Sequence, residues 1–119
     1  MNVAIVGASD KPDRYAYKAF SMLISHGHHV FPVHPTLASI EGVAVFAALV
    51  DVPRPIDTVT LYIGTDRVIS VVDDIIALRP RRVICNPGTE NPSAIAAWRA
   101  AGIEVLCACT LVLLSTDQF

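Results

Sequence analysis

The segment Gly7–Arg14 follows a short apolar run and precedes a stretch with helical spacing. Between a strand and a helix, free backbone N–H groups and the helix dipole attract phosphate. Gly7 permits a sharp turn, Ala8 and Ser9 permit close approach, and Arg14 offers a two-pronged guanidinium to phosphate oxygens. The sequence therefore predicts an anion-binding loop.

The alternative for this segment is an ordinary turn between a strand and a helix. Asp10 or Asp13 would then cap the helix, and Arg14 would be solvated. Two carboxylates beside a phosphate site count against binding, and Lys11 could assist only as a point charge.

A second candidate loop, Asn86–Asn91, lies between the fourth predicted strand and its helix. Pro87 and Gly88 favour a turn, and Asn86 can hydrogen-bond to a ligand. The alternative is a loop that only turns and caps the next helix. Glu90 has no second carboxylate near it in the pattern, so catalysis is not expected.

His34 is the only histidine predicted at the same rim as the first loop, where it could contact a ligand or serve as an ordinary loop residue. The opposite rim is predicted to carry His26, His28 and His29. Their positions at the end of a helix and the start of a strand account for them better than a metal site does. No metal site is predicted.

The three cysteines, Cys85, Cys107 and Cys109, are too few for a disulfide framework and do not complete a four-ligand zinc site. We expect small buried cysteines rather than a metal or redox-active pair. Free thiols suit a reducing interior, which predicts a cytoplasmic protein.

Strands and helices are expected to alternate along the chain. Strands are predicted at Asn2–Val6, His29–Val33, Thr58–Ile63, Val83–Cys85 and from Glu104, and helices at Tyr15–His26, from Thr65 as cap to Pro80, and from Asn91 as cap to Gly102. The connection 36–55 shows a turn at Glu41-Gly42 and one or two helical turns around Phe46–Leu49. Periodicity leaves the tail after Cys107 open between strand and helix. The alternation predicts an α/β fold, a single Rossmann-like three-layer domain over residues 1–119 with a five-stranded, mainly parallel sheet.

Composition narrows the class of protein. The chain has 119 residues, a net charge of -2, 53% hydrophobic and 17% charged residues, which predicts one compact domain and no general attraction to nucleic acid or membranes. No apolar run reaches the about 18 residues that a bilayer span needs. The high apolar fraction also favours a homo-oligomer.

A dinucleotide oxidoreductase should carry G-x-G-x-x-G and an acidic residue at the end of the second strand. Ala8-Ser9 stands where the later glycines should begin, and the second strand ends in Val33-His34-Pro35. These departures disfavour NAD, whereas an NADP-type module or accessory oxidoreductase subunit stays open. A protein-interaction domain without a ligand is a third possibility.

Several motifs together indicate a family. The run GASDKPDR at 7–14 is followed by HVFPVHP at 29–35, by Gly42, and by the stretch 49–53 before Asp57. This arrangement resembles the small stand-alone CoA-binding proteins, which are similar in turn to the CoA-binding N-terminal domain of the succinyl-CoA synthetase alpha subunit. The resemblance spans nearly the whole chain.

The resemblance implies binding of CoA or an acyl-CoA, with the phosphates at the first loop. By matching motif positions, it implies the cofactor-binding residues Gly7, Ala8, Ser9, Arg14, His34, Pro35, Ile63, Asn86, Pro87 and Gly88. The phosphohistidine segment of the synthetase has no counterpart here, which implies binding without turnover.

This sequence departs from the family pattern in two places. Ile84-Cys85-Asn86-Pro87-Gly88 replaces the W-M-Q-x-G-like run that is common after the fourth strand. The extra helix that many members carry before the first strand is also missing from the sequence.

Overall fold

Strands and helices alternate along residues 1–119, all of which are described by the computed structural model. The strands are β1 (Asn2–Val6), β2 (His29–Val33), β3 (Ser39–Ile40), β4 (Val43–Ala44), β5 (Thr58–Leu61), β6 (Arg82–Cys85) and β7 (Glu104–Cys107). The α-helices are α1 (Tyr15–Ser25), α2 (Thr65–Val68), α3 (Val72–Leu78), α4 (Pro92–Ala100) and α5 (Thr110–Ser115), and short 3-10 turns occupy Leu49–Asp51 and Ile69–Val71.

Five strands form the main sheet in the order β2-β1-β5-β6-β7, and every neighbouring pair is parallel. The remaining two, β3 and β4, form a separate antiparallel hairpin. Helices cover both faces of the main sheet, because each parallel connection must cross back over it. The predicted α/β, Rossmann-like fold with a five-stranded, mainly parallel sheet is therefore confirmed, and the sheet is parallel throughout.

Consecutive side chains of β1 serve opposite faces of the sheet, because strand side chains alternate in direction. Val3 packs with Phe20 of α1 and Leu114 of α5. The next residue, Ala4, lies in a second cluster with Trp98 of α4. The sheet thus separates two apolar cores, each closed by its own helices.

The helix predicted from Thr65 to Pro80 is interrupted. The run 68–72 contains four β-branched residues, whose side chains lose rotamer freedom in a helix, and three of its residues wind into a 3-10 turn. Thr65 is not the cap, because Gly64 occupies that position and no side chain caps the helix. The end is set by Arg79, which adopts a left-handed conformation with φ of 55°.

Other sequence-based expectations agree with the structure. Asn91 caps α4, since its side-chain oxygen accepts a hydrogen bond from the Ala94 N–H at 3.1 Å. Glu41 and Gly42 form the turn between β3 and β4 with positive φ values of 48° and 79°. The tail after Cys107 turns back as α5, which settles the choice between strand and helix.

The β3–β4 hairpin is tied to α1. The Tyr17 hydroxyl donates to a carboxylate oxygen of Glu41 over 2.9 Å, and the Phe46 carbonyl just beyond the hairpin accepts from the His34 N–H. The connection after β2 is therefore anchored at both ends.

None of the helices is both long enough and apolar enough to span a bilayer; the longest, α1, has 11 residues.

The first prediction concerns two neighbouring positions of α1. Leu23 is fully buried at 0% exposure, whereas Ile24 is 43% exposed. We expect Leu23→Ala to lower the free energy of unfolding by about 2–5 kcal/mol, because it leaves a cavity in the core, and Ile24→Ala to change it by about 0.5 kcal/mol or less. Urea unfolding followed by the fluorescence of Trp98 measures both. Equal losses would contradict the assignment of Leu23 to the core.

Candidate functional site

A cleft of about 840 Å³ opens at the carboxyl ends of β1, β2 and β5. The chain leaves β1 toward β2 on one side and later enters β5 on the other side of β1. The connections therefore diverge above β1, and such a switch point is where open parallel sheets bind ligands.

Seven of the ten residues predicted from the sequence line this cleft: Gly7, Ala8, Ser9, Arg14, His34, Pro35 and Ile63. Their common location follows from the parallel sheet, which gathers the carboxyl ends of its strands at one rim.

Gly7 lies where the loop after β1 crosses the chain leaving β5. A Cβ atom at this position would lie 2.5 Å from the Tyr62 carbonyl oxygen and 2.8 Å from the Ile63 side chain, and the φ of Gly7 is +85°. Both steric space and backbone conformation therefore require glycine here.

The N–H groups of Gly7 and Ala8 do not face the cleft. They share the Val33 carbonyl oxygen as acceptor, at 3.2 and 3.1 Å. The expectation that this part of the loop offers free amides is therefore wrong: these two bonds join the loop to the end of β2 and fix its course.

The first turn of α1 supplies the free donors instead. Arg14 occupies the cap position, no side chain caps the helix, and its first turn contains no acidic residue. The N–H groups of the first turn consequently have no intrahelical acceptor. Asp10 and Asp13 do not cap the helix, which removes the main support for the ordinary-turn alternative.

Three cationic side chains line the cleft: Lys11, Arg14 and Arg67. Lys11 and Arg67 form hydrogen bonds only through backbone atoms, so their charges stay available to a ligand. Two carboxylates, Asp10 and Asp74, also line it. The local balance is positive, although the whole chain carries a net charge of -2.

His34 holds the turn that follows β2. Its Nδ1 atom accepts from the N–H groups of Thr36 and Leu37, each at 3.1 Å. Because Nδ1 is an acceptor, the proton of the neutral ring lies on Nε2. His34 can thus offer one N–H donor in the cleft from a fixed ring.

The loop after β6 does not border this cleft, contrary to expectation. Asn86, Pro87 and Gly88 are absent from its lining. Asn86 is 3% exposed, and its side chain bonds to neighbouring elements rather than facing solvent. The Glu90 carboxylate accepts from the Gly88 N–H at 2.7 Å, which closes the loop on itself.

The sequence pattern does not clearly indicate one wall of the cleft, which is formed by α2, α3 and the 3-10 turn between them. Arg67, Ser70, Val71 and Asp74 line the cleft from this side. Their spacing of three to four residues is that of one helical face, a signal present in the sequence. The apolar positions of the same segment obscure it, because they form the more regular pattern.

Tyr62 forms part of the cleft floor and packs against the core beneath α1. Its buried hydroxyl has no hydrogen-bond partner. Burial raises the pKa of Tyr62 to about 12, and the nearby hydroxyls of Thr110 and Thr60 offset this only in part. The phenol is therefore a neutral group rather than a base.

The other reactive side chains lie away from the cleft. His28 faces the amino terminus of the chain and Phe119, and Arg81 and Arg82 line a smaller cavity of about 270 Å³ at the opposite rim. No group of three metal-ligating residues is present. Burial raises the pKa of Cys85 to about 12, so this thiol is not a ready nucleophile.

The fold and the cleft together define a Rossmann-like α/β domain with an uncapped helix and three cationic side chains at the switch point of its sheet. Residues 1–115 match the model of the CoA binding domain family. Since the match covers nearly the whole chain, the protein belongs to this family.

Other proteins resemble the chain over most of its length. Uncharacterized protein YneT of Bacillus subtilis (strain 168) is 28% identical over 104 residues, which is 87% of this chain and 77% of YneT. The crystal structure of an uncharacterized protein is 39% identical with a TM-score of 0.88, covering 99% of this chain and 97% of the other.

The fold also occurs inside a longer protein. Dinucleotide forming acetyl-coenzyme A synthetase 1 of Ca. Korarchaeum cryptofilum has a TM-score of 0.79 at 24% identity, covering 90% of this chain and 25% of the synthetase. At this identity the likeness extends to the fold alone.

Gly7→Ala tests whether the loop after β1 passes close to the chain that leaves β5, and Gly27→Ala is its matched control. Both glycines have left-handed φ values, +85° and +83°, but a Cβ at Gly27 meets nothing within 4 Å. Gly27→Ala should cost about 1–2 kcal/mol of backbone strain. Gly7→Ala should lower the free energy of unfolding by clearly more, because its methyl group collides with backbone. Denaturant unfolding measures both, and equal losses would exclude the close crossing.

Tyr62→Phe tests the buried phenol. The pKa of Tyr62 is about 12 in the folded protein against an ordinary value of 10.0, so the folded state keeps its proton longer than the unfolded state does. The difference in free energy of unfolding between wild type and Tyr62→Phe should therefore be constant below pH 10 and shift against wild type as the pH rises from 10 toward 12. Denaturant unfolding across this range measures it, with exposed Tyr15→Phe as control. A pH-independent difference would contradict burial of the phenol.

Proposed function

We propose that this protein binds CoA or an acyl-CoA in the cleft above β1 and β5. The observation that carries the proposal is the uncapped first turn of α1, flanked by Lys11 and Arg14 and joined to β1 through Gly7. Membership of the CoA binding domain family supports the same ligand.

The charge of the cleft suits a ligand with several phosphates. The first turn of α1 would bind the phosphate oxygens through its N–H groups and its dipole. The Arg14 guanidinium would add charge-assisted hydrogen bonds, Lys11 would add a point charge, and Arg67 would add a second guanidinium. An uncharged ligand would leave these three cations without a partner.

The size and lining of the cleft suit a large amphipathic ligand. Its volume of about 840 Å³ lies in the upper part of the about 300–1,000 Å³ typical of small-molecule sites. Twelve of its 22 lining residues are hydrophobic, which can pack against an adenine ring or a pantetheine arm. A bare phosphate would fill only a small part of this space.

The end of β2 favours CoA over a nicotinamide dinucleotide. NAD-binding domains use an acidic residue there to hold the ribose hydroxyls, whereas His34 and Pro35 line the cleft at this position. NADP, which also carries an additional phosphate, is the competing ligand to be compared with CoA by calorimetry.

Binding without turnover is part of the proposal. No cysteine lines the cleft, the Glu90 carboxylate is used within its own loop, and the raised pKa keeps the Tyr62 phenol protonated near neutral pH. In addition, the Ser9 hydroxyl oxygen accepts from the Lys11 N–H and His34 Nδ1 accepts from two backbone N–H groups, which favours binding over acyl transfer.

A cytoplasmic location and self-association are also part of the proposal. Three free cysteines favour a reducing compartment, the cytoplasm. Val50 and Val112, exposed at 76% and 55%, favour self-association. The ligand is a small molecule and not a nucleic acid, because the chain as a whole is slightly acidic.

Calorimetric titration with CoA, acetyl-CoA, dephospho-CoA, NAD and NADP tests the ligand, and Arg14→Ala tests the site. Loss of charge-assisted hydrogen bonds worth about 1.5–3 kcal/mol should weaken CoA binding by about 10- to 150-fold. Arg81→Ala, at an exposed arginine of the opposite rim, should leave the affinity within about twofold. Absence of CoA binding by wild type would exclude the proposed function, and equal effects of the two variants would exclude the proposed site.

A further inference from the structure

Asn86 directly follows β6 and is buried. Its side chain forms hydrogen bonds at the carboxyl end of β5 and at the start of α5. Its amide nitrogen donates to the Thr60 hydroxyl at 2.7 Å and to the Leu61 carbonyl at 2.9 Å. Its amide oxygen accepts from the Thr110 N–H at 2.8 Å, at the start of α5. The side chain therefore joins the end of β6 to the end of β5 and to α5.

The bond to Leu61 leads toward the cleft. Leu61 is the last residue of β5, and the peptide unit that follows it has both its polar groups engaged. Its carbonyl accepts from Asn86, and its N–H, that of Tyr62, donates to the Val6 carbonyl at 2.8 Å. This peptide unit is held between β6 on one side and β1 on the other.

The next carbonyl along the chain is the one that passes Gly7. The Tyr62 oxygen lies 2.5 Å from the position of a Gly7 Cβ, and Tyr62 and Ile63 both line the cleft. A shift of the Leu61–Tyr62 peptide unit would therefore move the floor of the cleft against the loop after β1.

We propose that Asn86 is a positioning residue for the cleft. By fixing the Leu61–Tyr62 peptide unit, it determines the position of Tyr62 and Ile63, which form the floor of the cleft beneath Gly7. The proposal rests on the proposed function for its ligand. It replaces the expectation that Asn86 contacts the ligand, because a side chain of a residue that is 3% exposed and absent from the cleft lining acts through its neighbours.

Asparagine suits this position for a chemical reason. The Leu61 carbonyl and the Thr110 N–H are an acceptor and a donor that lie in a buried region, and an amide side chain satisfies both at once. An aspartate would keep the acceptor for Thr110 but lose both N–H donors. An apolar residue would leave the carbonyl and the N–H unpaired.

The test compares Asn86→Ala with Ile84→Ala. Ile84 precedes Asn86 by two residues on β6, so it shares its face of the sheet, and it is fully buried. Both variants lose buried packing, but only Asn86→Ala frees the Leu61 carbonyl. CoA affinity is measured by calorimetry at a temperature where unfolding curves show each variant folded. We expect at least roughly tenfold weaker binding for Asn86→Ala, from loss of a buried hydrogen-bond partner, and a change within about twofold for Ile84→Ala.

A second measurement needs no ligand. Amide hydrogen exchange is compared at Tyr62 and at the slowest-exchanging amides of each variant. We expect Asn86→Ala to speed exchange at the Tyr62 N–H beyond its effect on the slowest amides, and Ile84→Ala to affect both alike. If Asn86→Ala does not fold, Asn86→Asp provides the same comparison, because it retains the volume and the acceptor for Thr110.

The outcomes separate this inference from the proposed function. If wild type does not bind CoA, the proposed function fails, and the exchange rates at Tyr62 still decide whether Asn86 holds the floor. If wild type binds CoA and Asn86→Ala binds it equally well, the positioning role is overturned. Equal weakening by Ile84→Ala also overturns it, because the effect would then arise from general loss of stability.

Discussion

Two backbone segments pass at close range at Gly7, and this close passage fixes the floor of the cleft. With a side chain excluded at this point, the loop after β1 lies directly on the chain that leaves β5. That contact fixes where the loop that leads to α1 begins. Because both segments directly continue strands of the main sheet, the register of β1 and β5 determines where they cross beneath the cleft.

Backbone groups and side chains have different roles in the cleft. Backbone hydrogen bonds to the Val33 and Val6 carbonyls fix the positions of the loops. The charged side chains are therefore not needed to hold the loops in place. Lys11, Arg14 and Arg67 are exposed and can adapt to a ligand, whereas Asn86 and Thr110 are buried and cannot. The buried residues beneath the cleft thus make its floor rigid, whereas the exposed residues at its edges can adapt to a ligand.

Much of this architecture could be predicted from the sequence. Alternating apolar runs and cap signals such as Asn91-Pro92 indicate the order of strands and helices, and parallel topology then places Gly7 and His34 at one rim. The GASDKPDR run adds the resemblance to the CoA-binding proteins, and with it the expected ligand. The inferences about the fold, the shared rim and the family are confirmed, because they depend on local patterns and on one general rule about parallel sheets; the ligand stays a prediction.

The failures have a different origin. Whether the amides of Gly7 and Ala8 are free depends on the Val33 carbonyl, which is distant in sequence. The position of Asn86 depends on Thr60 and Thr110, which no local pattern links to it. Sequence position places Asn86 at the correct rim, but only three-dimensional packing decides whether a side chain at a rim faces a ligand or the interior.

The 3-10 turn at Ile69–Val71 has a consequence for the wall that faces α1. A 3-10 helix advances by about 120° per residue and an α-helix by about 100°, so three residues of tighter winding rotate the remainder of the helix by about 60°. Val71, the last residue of this turn, is half-exposed on the cleft wall, whereas Val68 before it and Ile75 after it are fully buried. A chain with uninterrupted α-helical winding here could keep the same sheet and the same loop after β1, yet it would present different side chains on this wall of the cleft.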